Sequence, residues 1–272
     1  MGEQDVRSQA HAEDIRVFLR HLRRDVQAFE TLLEEKRFET GVRRIGAEQE
    51  LFLVDPQWRP APIATEVLEA VDDPHFTTEL ARFNLEFNLE PQIFGGTCLR
   101  DMEWQLGELL GKARAAAQSC GGDVVMTGIL PTLKKTDLEL VNMTPNPRYY
   151  ALNDAMNRLR GGAYEFYLQG LDELHLHHDS ILVEACNTSF QIHFQVAPDE
   201  FARLYNAAQA VAGPLLAACA NSPMLFGKRL WAETRIGLFQ QSIDTRRSTP
   251  HMREQTPRVS FGRQWIKESA LE

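Results

Sequence analysis

Apolar residues recur at helical spacing in four stretches of the chain. Over residues 10–35, apolar side chains return every three or four positions and charged side chains fill the opposite face, which predicts an amphipathic packing helix. Helices are also predicted over residues 99–119 and 148–160, each followed by a glycine pair. A fourth helix is predicted over residues 198–220, with a bend at its internal Gly-Pro pair.

Alternating polar and apolar residues predict the strands. Four stretches show this pattern or a β-branched, apolar composition, and a fifth is a short, mainly apolar segment. They cover residues 42–55, 81–90, 180–184, 188–196 and 123–128. Strands and helices do not follow one another in a regular βαβ order. We therefore predict an α+β fold, in which helices pack on one face of an antiparallel β-sheet.

Composition narrows the possible functions. The 272 residues, of which 43% are hydrophobic and 25% charged, can bury a sizeable core. The formal net charge of -9 argues against nucleic-acid binding and against a polybasic membrane surface. The longest apolar run, over residues 207–220, contains Gly213 and Pro214 and is too short to cross a bilayer. Four widely spaced cysteines and a charged N-terminal stretch without signal-peptide features predict a reduced, cytoplasmic protein.

Three predicted strands each have one face that carries acids, amides or an imidazole and no lysine or arginine. Glu48 and Glu50 share one face of the first strand, Glu86 lies on the polar face of the second, and Gln191 and His193 lie on that of the third. If these strands are neighbours, their carboxylates repel one another, and a Mg²⁺ ion would remove that cost. The sequence therefore predicts a funnel-like active-site face, the alternative being an ordinary solvated sheet face.

The same strands carry a resemblance to a known family. Residues 45–55 resemble the opening Gly-x-Glu-x-Glu strand of glutamate–cysteine ligase family 2, whose members are also called carboxylate–amine ligases. Residues 83–88 resemble the second acidic strand of that family, and residues 189–193 its Gln-x-His strand. Residues 220–223 resemble its Asn-Ser-Pro turn, and Arg235 follows where an arginine is expected.

The resemblance runs in order over residues 43–246, with some departures, among them the unusual sequence 231–235 around Arg235. Asn88 stands where many members have threonine. A later strand with glutamate and arginine, which family members usually carry, is not found before Glu272. We therefore expect a divergent and truncated member, with a helical segment over residues 1–40, the ligase-like catalytic domain over 41–246, and a polar, incomplete domain end over 247–272.

The resemblance implies a glutamine-synthetase-like catalytic fold and a reaction that uses ATP and Mg²⁺ or Mn²⁺. ATP would phosphorylate a carboxylate, expected to be the γ-carboxylate of glutamate, and an amine would displace phosphate to form an amide. The implied catalytic residues are Glu48, Glu50, Glu86 and Arg235. The implied metal ligands are Glu48, Glu50, Glu86 and His193. The implied nucleotide contacts are Gln191, His193, Arg235 and Arg246.

The residues leave other functions open. A Mg²⁺- or Mn²⁺-dependent hydrolase could use the same carboxylates without ATP. A catalytically impaired nucleotide-binding regulatory module of the same fold is the second alternative. The expected partners are small molecules, an amino-acid carboxylate and an amine. Their identity, the roles of Glu79 and Glu90, and the oligomeric state, a homo-oligomer included, are left open.

Overall fold

A computed structural model describes residues 12–246, 258–260, 262 and 264–272. The α-helices are α1 (Ala12–Glu34), α2 (Ala64–Val71), α3 (Cys98–Ser119), α4 (Pro147–Arg160), α5 (Phe201–Ala218) and α6 (Thr234–Ser242). The strands are β1 (Arg44–Val54), β2 (Phe76–Thr78), β3 (Asn84–Asn88), β4 (Gln92–Ile93), β5 (Asp123–Val125), β6 (Tyr164–Gln169), β7 (Glu173–His178), β8 (Phe190–Phe194), β9 (Met224–Leu225) and β10 (Lys228–Arg229). Short 3₁₀ helices cover Lys135–Leu138, Leu140–Asn142, Ile181–Cys186 and Pro198–Glu200.

Mixed helices and antiparallel strands confirm the predicted α+β class. The long helices α1, α3, α4 and α5 form where helical spacing predicted them, and α5 continues through Pro214. The first residues of the predicted N-terminal helix and half of the predicted C-terminal segment, residues 247–257 included, lie outside the described residues.

One predicted strand, over residues 180–184, is wrong. This stretch forms the 3₁₀ helix Ile181–Cys186, in which five of the six side chains are buried. Such a continuous apolar run has no alternation to separate a strand from a buried turn. The Ser180 hydroxyl accepts a hydrogen bond from the Leu182 N–H at 3.1 Å, which caps the turn at its first residue.

The central strand of the main sheet is β1, and all its partners run antiparallel to it. Strands β3 and β4 pair with successive parts of one edge of β1, and β8 and β5 pair with successive parts of the other. Strand β2 pairs with the outer edge of β3. Because β1 lies in the middle, its side chains alternate between two different layers of the protein.

Each face of β1 contributes to its own hydrophobic core. Ile45, Ala47, Leu51 and Leu53 pack with residues of α2 and α3, so helices cover this face as predicted. Phe52 and Val54, on the opposite face, are fully buried in a second core. That core includes the inner side chains of the β6–β7 hairpin and the 3₁₀ helix Ile181–Cys186. The acidic part of the second face therefore lies next to a covered region of the sheet.

Strand β8 is less covered than its sequence pattern suggests. Phe190, Ile192 and Phe194, its apolar face, are 43%, 54% and 38% exposed. The Phe194 ring packs edge-on against Phe94, with 4.9 Å between the ring centroids, and lies 5.6 Å from the Arg43 guanidinium carbon.

Among the described residues, none of the helices combines the length and hydrophobicity that a bilayer span requires.

Candidate functional site

The strand register places the predicted polar residues on one face of the sheet. Glu50 lies opposite Glu86 of β3 and Glu48 lies opposite Gln191 of β8. His193 lies opposite Gly46, two residues before Glu48. Side chains of directly opposed residues in an antiparallel pair project from the same face, as do those two positions apart on one strand. The structure therefore brings these five side chains to one surface.

A compact triad of carboxylates lies on this face. Glu50, Glu79 and Glu86 each offer an oxygen within 4.8 Å of the other two. The Glu50 Oε2 atom accepts hydrogen bonds from the backbone N–H of Ser189 at 2.7 Å and from its hydroxyl at 3.2 Å. The Glu86 Oε1 atom accepts one from the Asn88 side-chain amide at 2.8 Å. These bonds hold two of the three carboxyl groups in place.

Glu79 is the member of this triad that was given no role from the sequence. It lies directly after β2, a strand of three residues, and before the predicted strand over 81–90. The β2–β3 pairing sets Thr77 opposite Glu86 and Thr78 opposite Leu85, and so returns Glu79 to the acidic face. Alternation could not reveal this position, because a strand of three residues is too short to show a period of two.

The buried carboxyl groups hold their protons more tightly than usual. Burial raises the pKa of Glu50 to about 7, against the two hydrogen bonds from Ser189, which lower it. Burial, followed by the charge of Glu50, raises the pKa of Glu79 well above its usual range. Burial and the charge of Glu50 also raise the pKa of Glu184, in the 3₁₀ helix Ile181–Cys186, to about 7. Four carboxyl groups, counting Glu86, therefore share a poorly solvated space, in which extra negative charge is unfavourable.

Glu48 and His193 form a more exposed pair beside the triad. The His193 Nε2 atom lies 3.6 Å from Glu48 Oε2, with the two side chains 56% and 18% exposed. Partial burial and then the charge of Glu86 raise the pKa of Glu48, and the imidazole of His193 opposes them. Of the four metal ligands implied by the resemblance, Glu50 and Glu86 belong to the compact triad, whereas Glu48 and His193 lie outside it.

Arg235 is held in a buried ion pair. Its Nε and Nη2 atoms donate to the two carboxylate oxygens of Glu233 at 2.8 and 2.7 Å. The Ser222 hydroxyl donates to Glu233 Oε2 at 2.7 Å, so the predicted Asn-Ser-Pro turn fixes the partner of the arginine. This group packs against Gly128, whose carbonyl accepts a hydrogen bond from the Thr188 N–H at 3.1 Å. The backbone hydrogen bond between Gly128 and Thr188 thus links the surroundings of Arg235 to the residue before Ser189.

Arg246 lies in a different place from the triad. Its Nε atom donates to both carboxylate oxygens of Asp244, at 2.9 and 3.0 Å. Both side chains line a cavity of about 580 Å³ along the β6–β7 hairpin, to which Tyr167, His175 and Gln241 also contribute. No residue of the acidic triad lines this cavity. A nucleotide contact by Arg246 stays a prediction.

Comparisons with known proteins identify the family of the chain. The family model described as glutamate-cysteine ligase family 2 matches residues 44–265, more than half of the chain and past the predicted domain end at residue 246. The chain is 14% identical to a bifunctional glutathione synthetase from Pasteurella multocida, with a TM-score of 0.45. That match covers 68% of this chain and 24% of the other, so the chain spans about a quarter of that protein's length. No curated protein matches the sequence. On the family match, the chain belongs to glutamate-cysteine ligase family 2.

Proposed function

We propose that this protein is an ATP-dependent carboxylate–amine ligase that forms an amide through an acyl phosphate. The observation that carries the proposal is the convergence of Glu50, Glu79 and Glu86 on one sheet face, in a chain that belongs to glutamate-cysteine ligase family 2. The proposed substrates are small molecules: ATP, an amino-acid carboxylate, for which the γ-carboxylate of glutamate is our choice, and an amine. A cytoplasmic location is part of the same proposal.

The chemistry of the donor set fits a hard divalent cation. The triad offers carboxylate oxygens only, and Mg²⁺ and Mn²⁺ prefer oxygen ligands, whereas thiolates and imidazoles favour softer metals. Burial and then the charges of neighbouring carboxylates raise the pKa of both Glu50 and Glu79, so three negative charges in this space would be costly without a counter-charge, which supports a bound cation. We therefore assign Mg²⁺ or Mn²⁺ to Glu50, Glu79 and Glu86, with Glu48 and His193 at the exposed border of the same site.

The proposed reaction has two steps. An oxygen of the substrate carboxylate attacks the γ-phosphorus of ATP, and ADP leaves; the amine nitrogen then attacks the acyl carbon, loses a proton, and phosphate leaves. A bound cation would offset the charge of the phosphate oxygens. Arg235 would present its Nη1 donors to the transferred phosphoryl group, since Glu233 engages Nε and Nη2. Gln191 and His193, exposed on β8, would contact the nucleotide.

ADP release tests this proposal. With Mg²⁺ present, we expect ADP to form only when glutamate and a suitable amine from an amino-acid panel are both supplied, and EDTA to stop it. Glu50→Gln should lower the rate at least a hundredfold. Glu108→Gln, which alters an exposed carboxylate of α3, should leave the rate unchanged. Hydrolysis that needs no ATP would support the hydrolase alternative, and a flat panel with no ADP would overturn the ligase proposal.

A further inference from the structure

Asn84, the first residue of β3, has a buried side chain without a partner. It is 2% exposed, and neither its amide nitrogen nor its amide oxygen has a hydrogen-bond partner among the described residues. A buried amide that forms no hydrogen bond costs free energy, because it has exchanged its bonds to water for none. Such a group in a folded protein therefore requires an explanation, often a bound water or ligand.

The Asn84 side chain leaves the sheet on the same face as the carboxylate triad. Asn84 and Glu86 are two residues apart on β3, so their side chains leave the same face of the sheet. The β2–β3 register, Thr77 opposite Glu86 and Thr78 opposite Leu85, sets Glu79 across from Asn84 when continued by one residue. Glu86 and Glu79 are thus the neighbouring positions of Asn84 on this face, one along its own strand and one across from it.

Local structure does not account for asparagine at this position. Its backbone N–H already donates to the Ala81 carbonyl at 3.0 Å. Its φ is not among the positive values of the described residues, so tolerance of a left-handed backbone is not required. Its neighbours Phe52 and Phe83 are buried core residues, beside which an apolar side chain of similar size would pack without an unpaired polar group.

We propose that Asn84 is a positioning residue of the acidic site, whose amide oxygen accepts a hydrogen bond from a water molecule bound to the cation that Glu50, Glu79 and Glu86 hold. This inference rests on the proposed function, since it needs a cation at the triad. The role explains why a polar side chain without a hydrogen-bond partner lies at a position where an apolar side chain would pack at lower cost. In this role, the amide stabilises the cation-bound site and destabilises the metal-free fold.

Two measurements on Asn84→Leu test this role. In EDTA, we expect the variant to unfold at the same or a higher urea concentration than the wild type, because an unpaired buried amide has been removed. Titration with Mn²⁺ alone, followed by electron paramagnetic resonance of the free ion, should give a Kd at least tenfold weaker than that of the wild type. If Asn84 had a structural role only, its replacement would not weaken Mn²⁺ binding while leaving the stability in EDTA unchanged or higher.

Matched variants make the result unambiguous. Asn153 is 7% exposed and accepts a hydrogen bond from the Ile181 N–H at 3.1 Å, so Asn153→Leu should destabilise the protein and leave the Kd for Mn²⁺ unchanged. Asn84→Asp, which keeps the shape and adds an oxygen anion, should bind Mn²⁺ several-fold more tightly at pH 8. It also serves as the test if Asn84→Leu does not fold.

The outcomes separate this inference from the proposed function. If the wild type shows no saturable Mn²⁺ binding that Glu50→Gln removes, the metal site is wrong and the role of Asn84 is wrong with it. If the wild type binds Mn²⁺ and Asn84→Leu binds it as tightly, the role of Asn84 alone is wrong, and the amide holds only a structural water.

Discussion

The raised pKa of Glu184 can be tested by stability measurements without any ligand. Its carboxyl group lies in the 3₁₀ helix Ile181–Cys186, among buried apolar side chains, and burial and the charge of Glu50 raise its pKa from 4.5 to about 7. A raised carboxyl pKa means that the folded state binds the proton more tightly than the unfolded chain does. The stability gained in this way is complete below pH 4.5 and is lost as the pH rises through about 7.

The size of the effect follows from the two pKa values. At about 1.4 kcal/mol per pKa unit, the difference between 4.5 and about 7 corresponds to about 3 kcal/mol between acidic and alkaline conditions. Glutamine has nearly the same shape as glutamate and does not ionise. Glu184→Gln should therefore gain stability over the wild type as the pH rises, by up to about 3 kcal/mol at pH 8.

Urea unfolding in EDTA at pH 5, 6, 7 and 8 measures this difference. We expect the free energies of unfolding of Glu184→Gln and the wild type to be closest at pH 5, to separate between pH 5 and 7, and to keep a nearly constant difference from pH 7 to 8. Glu108→Gln, in an exposed part of α3, is the control and should follow the wild type at every pH. Parallel curves for Glu184→Gln and the wild type would show that Glu184 is ionised in the folded protein at no cost, and would refute the reasoning.

Two further predictions concern the anchoring of Arg235. In Gly128→Ala, the new Cβ would lie 3.2 Å from both Arg235 Cδ and Ser222 Cβ, and 2.3 Å from Asn221 Oδ1, the end of an exposed side chain that can move aside. We expect a loss of about 1 kcal/mol in urea unfolding; Gly107→Ala, in open space on α3, should instead stabilise by about 0.5–1 kcal/mol. Glu233→Ala would leave the largely buried Arg235 guanidinium unpaired, which should cost about 3–5 kcal/mol in the same assay; an unchanged unfolding midpoint would contradict the ion pair.

Much of the acidic face could be predicted because alternation along a strand fixes which side chains share a face. Once β1 and β3 are recognised as neighbours, the positions of Glu48, Glu50 and Glu86 follow from a period of two residues. The long helices were predictable for the same kind of reason. Their apolar residues repeat over many turns, so single exceptions do not hide the period.

The missed elements depend on contacts between distant parts of the chain. Glu79 reaches the triad only through the pairing of the very short strand β2 with β3. The hairpin Tyr164–His178 was not predicted, although Phe166 and Leu168 alternate with exposed residues and pack with Leu174 and Leu176 in one core. In the 3₁₀ helix Ile181–Cys186, nearly all side chains are buried, so the sequence lacks the polar and apolar periodicity from which an element is predicted. The pairing of Arg235 with Glu233, two residues before it, could not be deduced from spacing alone.

The alternation of β1 also couples folding to the assembly of the site. Moving β1 by one residue against β3 would carry Glu50 into the layer occupied by Leu51 and Leu53, and would present Leu51 to Glu86. Such a slipped molecule would bury a carboxylate among aliphatic side chains and would be too unstable to persist. An insertion or deletion within β1 should therefore produce insoluble protein rather than a folded but inactive one, since a single register serves both the hydrophobic layers and the acidic face.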